Sequence, residues 1–138
     1  MDRNPMTREE LLAMPAEDYM NEAQLAFFRK RLLEMRDEIL ADIEGARDDL
    51  LENERTPDEL DRAAIEESRL LSMRVQEREG RLLRKIDQAL DRIQTGEYGY
   101  CEVSSEPIGL PRLLARPTAT LSIEVKERQE KTEHVFLR

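Results

Sequence analysis

The sequence predicts an all-α-dominated protein: a long antiparallel coiled-coil hairpin on a small globular base, with a metal-free zinc-finger-like loop and a C-terminal helix. Three observations carry that expectation. Charged residues make up 38% of the 138-residue chain and aromatics 4%, with no Trp. That is thin material for a large core but suits long solvated helices. Apolar residues recur in steps of three and four over two long stretches, the spacing of a coiled-coil seam. Only a short proline-containing break separates the two stretches, so the helices must run antiparallel.

Near the N-terminus, TREELLAM reads as a short helix, with Thr7 and Glu10 forming a capping box between Pro5 and Pro15. A longer helix starts at NEAQ, where Asn21 caps and Gln24 reaches back to it. Its seam runs through Leu25, Phe28, Leu32, Met35 and Ile39, weakens after Asp42 and Gly45, and recovers at Ala46 and Leu50. Pro57 ends this helix and, with Thr56 as cap and Glu59 at the third position, starts the next. The second seam takes Leu71, Val75, Leu82, Ile86, Ala89 and Ile93. Arg78 falls on that seam as a polar interruption, and Gly80 costs about 1 kcal/mol against Ala for no visible reason. Each helix, at about 30 residues, spans on the order of 45 Å. TGEYGY at 95–100 ends the second helix, and residues 122–138 read as a last, charged helix.

Between them lies YCEVSSEPIGLPRLLARPTATLSIEVK, which holds the only cysteine. Cys101 and Ser104 stand two residues apart, as do Ser122 and Val125, with 17 residues between the pairs. Four cysteines so placed would be a common zinc spacing. Zinc needs three or four thiolate, imidazole or carboxylate donors, and one thiolate cannot hold it. An apolar cluster of Ile108, Leu110, Leu113, Leu114, Leu121, Ile123 and Val125 is the expected closure, with Cys101 buried as a small apolar residue.

The net charge of −9 argues against a partner held through nucleic-acid phosphates and for a basic protein surface. A single cysteine suits a reducing cytosol. No basic stretch followed by an apolar run suggests a signal peptide, and no run suggests a membrane span. No nucleophile stands with a base, so no covalent catalysis is expected. His134 reads as a solvated residue. Charge is uneven: residues 1–69 hold ten Lys/Arg against twenty Asp/Glu, residues 70–94 six against four. Arg74, Arg78, Arg81, Arg84 and Lys85 make a basic stretch, with Glu77 and Arg81 at ion-pair spacing.

Together EDYMNEAQLAFFRKRL (17–32), PDELDRAA (57–64), GEYGYCE and IGLPRLLARPTA resemble the bacterial DksA/TraR family over some 110 residues. The resemblance implies an N-terminal segment at 1–22, a hairpin over 23–94 with its tip near 54–62, and a zinc-finger-like region over 95–138. It implies a transcription regulator, not an enzyme, that inserts its hairpin into the RNA polymerase secondary channel and acts with ppGpp. Such a regulator is bacterial and cytoplasmic, a monomer, with no sequence-specific DNA contact and no membrane. Ribosomal RNA promoters would be inhibited and some amino-acid biosynthesis promoters activated.

The family's tip motif, D-x-x-D-x-A, falls on Asp58, Asp61 and Ala63. First-turn acids also favour a helix start through its dipole, so both roles can coexist. Arg78 matches a polymerase-contact position, beside Gln76 where the family has a basic residue. Leu82, Lys85, Arg116 and Lys126 match the ppGpp site at the polymerase interface, where cations and bidentate guanidinium suit phosphate. Cys101, Ser104, Ser122 and Val125 occupy the family's four zinc positions, so no bound metal is expected. A transcript-cleavage factor with Mg2+ on the tip acids, or a plain coiled-coil scaffold, are the alternative readings.

Overall fold

The computed structural model describes residues 6–55 and 62–136, so the expected tip turn with Asp58 and Asp61 lies outside the described residues. Five α-helices are described: α1 (Arg8–Leu12), α2 (Glu22–Arg55), α3 (Arg62–Thr95), α4 (Leu110–Ala115) and α5 (Ile123–Phe136). A 3-10 turn at Ala16–Asp18 lies between α1 and α2. Among the described residues the extended pairing is confined to a single antiparallel bridge, Tyr100 to Pro107. The long helices α2 and α3 pack together as a hairpin. Contacts divide the chain into one unit of residues 33–87 and another of residues 1–32 with 88–138.

Local signals set the helix starts. Thr7 caps α1 by accepting from the Glu10 N–H at 3.1 Å. Asn21 accepts from the Gln24 N–H at 2.9 Å at the head of α2. Gln24 does reach back, but to the N–H of Met20 at 2.9 Å rather than to Asn21 itself. Met20 sits at φ 58, which turns its N–H toward the helix, while the Asn21 N–H donates to the Asp18 carbonyl. At the far end of α3 the N–H groups of Glu97 and Tyr98 both return to the Arg92 carbonyl, with Gly96 at φ 84 making the left-handed turn.

In the unit of residues 33–87, Ile39 and Ile86 are buried, and Arg36 pairs with Asp87 at 3.1 Å. The seam of α3 departs from expectation here. Arg78 points out, its side chain 71% exposed, and Glu79 takes the inward position at 9% residue exposure. Counting four residues from Val75 rather than three brings the helix round to Glu79, and the long Arg78 side chain stays in water while its guanidinium holds the Glu79 carboxylate at 3.5 Å. Leu71, expected on the seam, is 55% exposed.

The other unit is built on Leu11, Phe28, Leu32, Leu113 and Tyr98, all fully or almost fully buried. Short α1 packs on short α4. Phe28 lies against Tyr98 with ring centroids 5.6 Å apart, and Tyr19 meets Tyr100 edge-on at the same separation.

Candidate functional site

The loop after α3 closes by hydrogen bonds from several directions. Around the Tyr100–Pro107 bridge, the Cys101 N–H donates to the Glu106 carbonyl at 2.8 Å and Ile108 N–H to the Gly99 carbonyl at 2.8 Å. The Glu102 N–H reaches the Thr120 carbonyl at 2.9 Å, tying the first turn to the segment that starts α5. Tyr98 donates its hydroxyl to the Pro117 carbonyl at 2.7 Å, and burial pushes that phenol far up. Arg92 donates to the carbonyls of Glu97 and Tyr100, and Arg112 to that of Leu121.

The N-terminal segment supplies the closing contact. The Tyr19 hydroxyl donates to the Gly99 carbonyl at 2.6 Å and accepts from the Gly109 N–H at 2.9 Å. Burial raises the Tyr19 phenol, against the lowering effect of the Gly109 N–H. Gly99 is held at φ 90 against Met20, where an added Cβ would lie 2.6 Å from the Met20 sulfur. Nothing local in the sequence marks Tyr19 for this contact, whose partners lie 80 and 90 residues away.

The apolar closure expected for this loop holds at Ile108, Leu113 and Val125, all buried. Ile123 does not join it: at 56% exposure it starts α5 facing outward. The Ser122 hydroxyl, just before α5, accepts from the N–H of Val125 three residues on at 3.3 Å, capping α5 and turning Val125 inward. Cys101 is buried, at 2% exposure, and the Ser104 N–H points at its sulfur from 3.5 Å. Burial works against its thiolate, but the Ser104 hydroxyl and the N–H groups of Ser104, Ser122 and Val103 outweigh it. The thiol is held down at about 6.

The remaining positions are spread along the helices. Ala63 is exposed in the first turn of α3. Leu82 is half-buried and Lys85 exposed, three residues apart on α3 and hence on one side of it. Both belong to the unit of residues 33–87. Arg116, exposed at the end of α4, and Lys126, half-buried in the first turn of α5, belong to the other. The expected Glu77–Arg81 pair is present at 2.8 Å. No helix among the described residues is long and apolar enough to cross a membrane.

Two family models match the chain. Residues 24–93 match the DnaK suppressor protein DksA, N-terminal domain, and residues 96–131 the prokaryotic dksA/traR C4-type zinc finger. The RNA polymerase-binding transcription factor DksA of Caulobacter vibrioides is 48% identical over 124 residues, covering 88% of this chain and 87% of its own length. The protein of the same name from Escherichia coli K12 is 44% identical, covering 81% of this chain and 75% of its own. The solved structure of transcription factor DksA2 from Pseudomonas aeruginosa superposes with a TM-score of 0.86 at 55% identity, over 93% of this chain and 99% of that one.

The C4-type finger implies zinc, and the donor set here does not fit it. Of the four positions, Ser104 is exposed, the Ser122 hydroxyl is engaged in capping α5, and Val125 has no donor atom. Among the described residues no three His, Cys, Asp or Glu side chains gather as a cation requires.

Proposed function

This chain belongs to the DksA/TraR family, and from that premise we propose that it is a regulator that binds RNA polymerase through the secondary channel. The observation that carries the reading is the pair of 34-residue helices α2 and α3, packed as a hairpin, in a chain whose relatives are named as RNA polymerase-binding. A helix of that length spans about 50 Å, enough to carry a tip deep into a channel. Asp58 and Asp61, with Ala63, act at the tip by charge and hydrogen bonding on mobile elements of the enzyme, shortening the life of open promoter complexes. Ribosomal RNA promoters are thereby inhibited and some amino-acid biosynthesis promoters favoured.

Arg78 contributes to the polymerase contact, and its exposure leaves its outer donors available. Leu82, Lys85, Arg116 and Lys126 form, with the polymerase, the site for ppGpp, whose clustered phosphates suit Lys and bidentate Arg. The chain acts as a monomer in the bacterial cytoplasm and reads no DNA sequence itself. The division into an N-terminal segment, a hairpin over 23–94 and a closing region over 95–138 follows the same reading.

In vitro transcription from a ribosomal promoter tests it. Asp61→Asn retains polymerase binding but leaves open-complex lifetime at its unregulated value; full activity of that variant would refute the tip assignment. Lys85→Ala and Arg116→Ala each lose most of the potentiation by ppGpp, and undiminished potentiation in both would remove the ppGpp site.

A further inference from the structure

We propose that a groove midway along the unit of residues 33–87 receives a cationic helical segment of the protein partner. The proposal rests on the polymerase-binding reading above. Helices α2 and α3 leave between them an open cavity of about 670 Å3. Its floor is small and apolar: Ala41, Gly45 and Ala46 from α2 face Leu71 and Val75 from α3. A β-carbon added to Gly45 would meet nothing within 4 Å. Leu71, which its spacing assigns to the seam, is 55% exposed, so an apolar side chain of the hairpin is left uncovered here.

Charge says what covers it. Asp42 and Asp49 from α2 and Glu79 from α3 line the groove, and among the described lining residues the one cation is Arg78, which is engaged with Glu79. Asp42 and Asp49 make no ion pair among the described residues. Seven residues apart, they lie two turns apart on one side of α2, roughly 10 Å along its axis. A third helix laid in the groove meets both with Lys or Arg at the same two-turn spacing, while its apolar residues at i, i+3 and i+4 settle on Leu71 and Val75. At Gly45 no side chain stands between such a helix and the α2 backbone, so it can approach closely there. Nucleic acid and anionic membranes carry the wrong charge for this rim.

The test uses the full-length chain and purified core RNA polymerase in a competition binding assay. Gly45→Gln fills the floor with a better helix former, so thermal stability is retained or raised while affinity falls about tenfold. Asp42→Lys with Asp49→Lys lowers affinity by at least tenfold, because the rim now repels its partner. Glu44→Lys with Asp48→Lys makes the same change in net charge on α2 outside the groove and lowers affinity less than threefold. Equal losses in the two charge pairs would mean that overall charge alone acts, and unchanged affinity in the groove variants would mean that the groove is empty in the complex. Either result overturns the proposal while leaving polymerase binding intact. A concentration-dependent dimer of the wild type that Gly45→Gln abolishes, with polymerase affinity unchanged, would assign the groove to a second copy instead. If the wild-type chain itself fails to bind polymerase, the reading of function fails first.

Discussion

A methyl group added at Gly99 would meet the Met20 sulfur at 2.6 Å and the Tyr19 hydroxyl at 3.3 Å, on a backbone already at φ 90. Gly99→Ala therefore combines left-handed backbone strain with overpacking and destabilises by about 2–4 kcal/mol, read from the urea midpoint. Tyr19→Phe removes one donor and one acceptor from the same clasp, leaving the Gly109 N–H without its partner and the Gly99 carbonyl with the Ile108 N–H alone. It costs about 1–3 kcal/mol by the same measurement. Cys101 gives a different residue-scale signature. Its thiol is lowered from 9.0 to about 6 in the fold, so the native state sheds the proton before the unfolded chain does. That contribution is complete above pH 9, fades as pH falls, and is gone below about 6. Urea midpoints of the wild type therefore rise from pH 6 to 9 more steeply than those of Cys101→Ala; parallel curves would mean that the thiol does not titrate low.

At the scale of elements, most of the helices can be read locally. Thr7, Asn21 and the TGEYGY terminus act within a turn of their own position, and Phe28, Leu32, Ile39, Ile86 and Ala89 are buried as their spacing demands. The middle of α3 is harder because residues 76–81 are Gln, Glu, Arg, Glu, Gly and Arg, and polar residues carry no seam signal. Whether position 78 or 79 turns inward depends on which side chain the partner helix can accommodate, and Glu79 is the one that does. Gly80, beside it, has no packing reason for being glycine: an added β-carbon would come no nearer than 3.9 Å, to the Arg84 guanidinium. Gly80→Ala should thus stabilise α3 by about 1 kcal/mol, seen as a higher midpoint in thermal melts. A destabilised variant would show that α3 needs backbone freedom at that point.

For the molecule as a whole, the question is what replaces a metal in a region matched by a C4-type zinc-finger family. The lack of a zinc ligand set is legible from residue types, since Ser104, Ser122 and Val125 cannot serve beside one thiol. The apolar part of the replacement is legible in the same way, but its hydrogen-bonded part is not, because it is non-local: the Tyr19 hydroxyl closes the loop from 80 and 90 residues away in the chain. Around it stand Tyr98 on Pro117, Glu102 on Thr120, and the buried Ile108, Leu113 and Val125. A structural zinc contributes roughly 10–16 kcal/mol in small fingers, more than most domains have in total stability, so its removal would be unmistakable. The protein purified without added metal is expected to carry well under one zinc per chain by elemental analysis. Its far-UV circular dichroism and thermal midpoint should not move when a strong chelator is added, while Tyr19→Phe lowers the midpoint equally with and without chelator. Stoichiometric zinc, or a melt that drops on chelation, would mean that a metal rather than this hydrogen-bonded and apolar closure holds the loop.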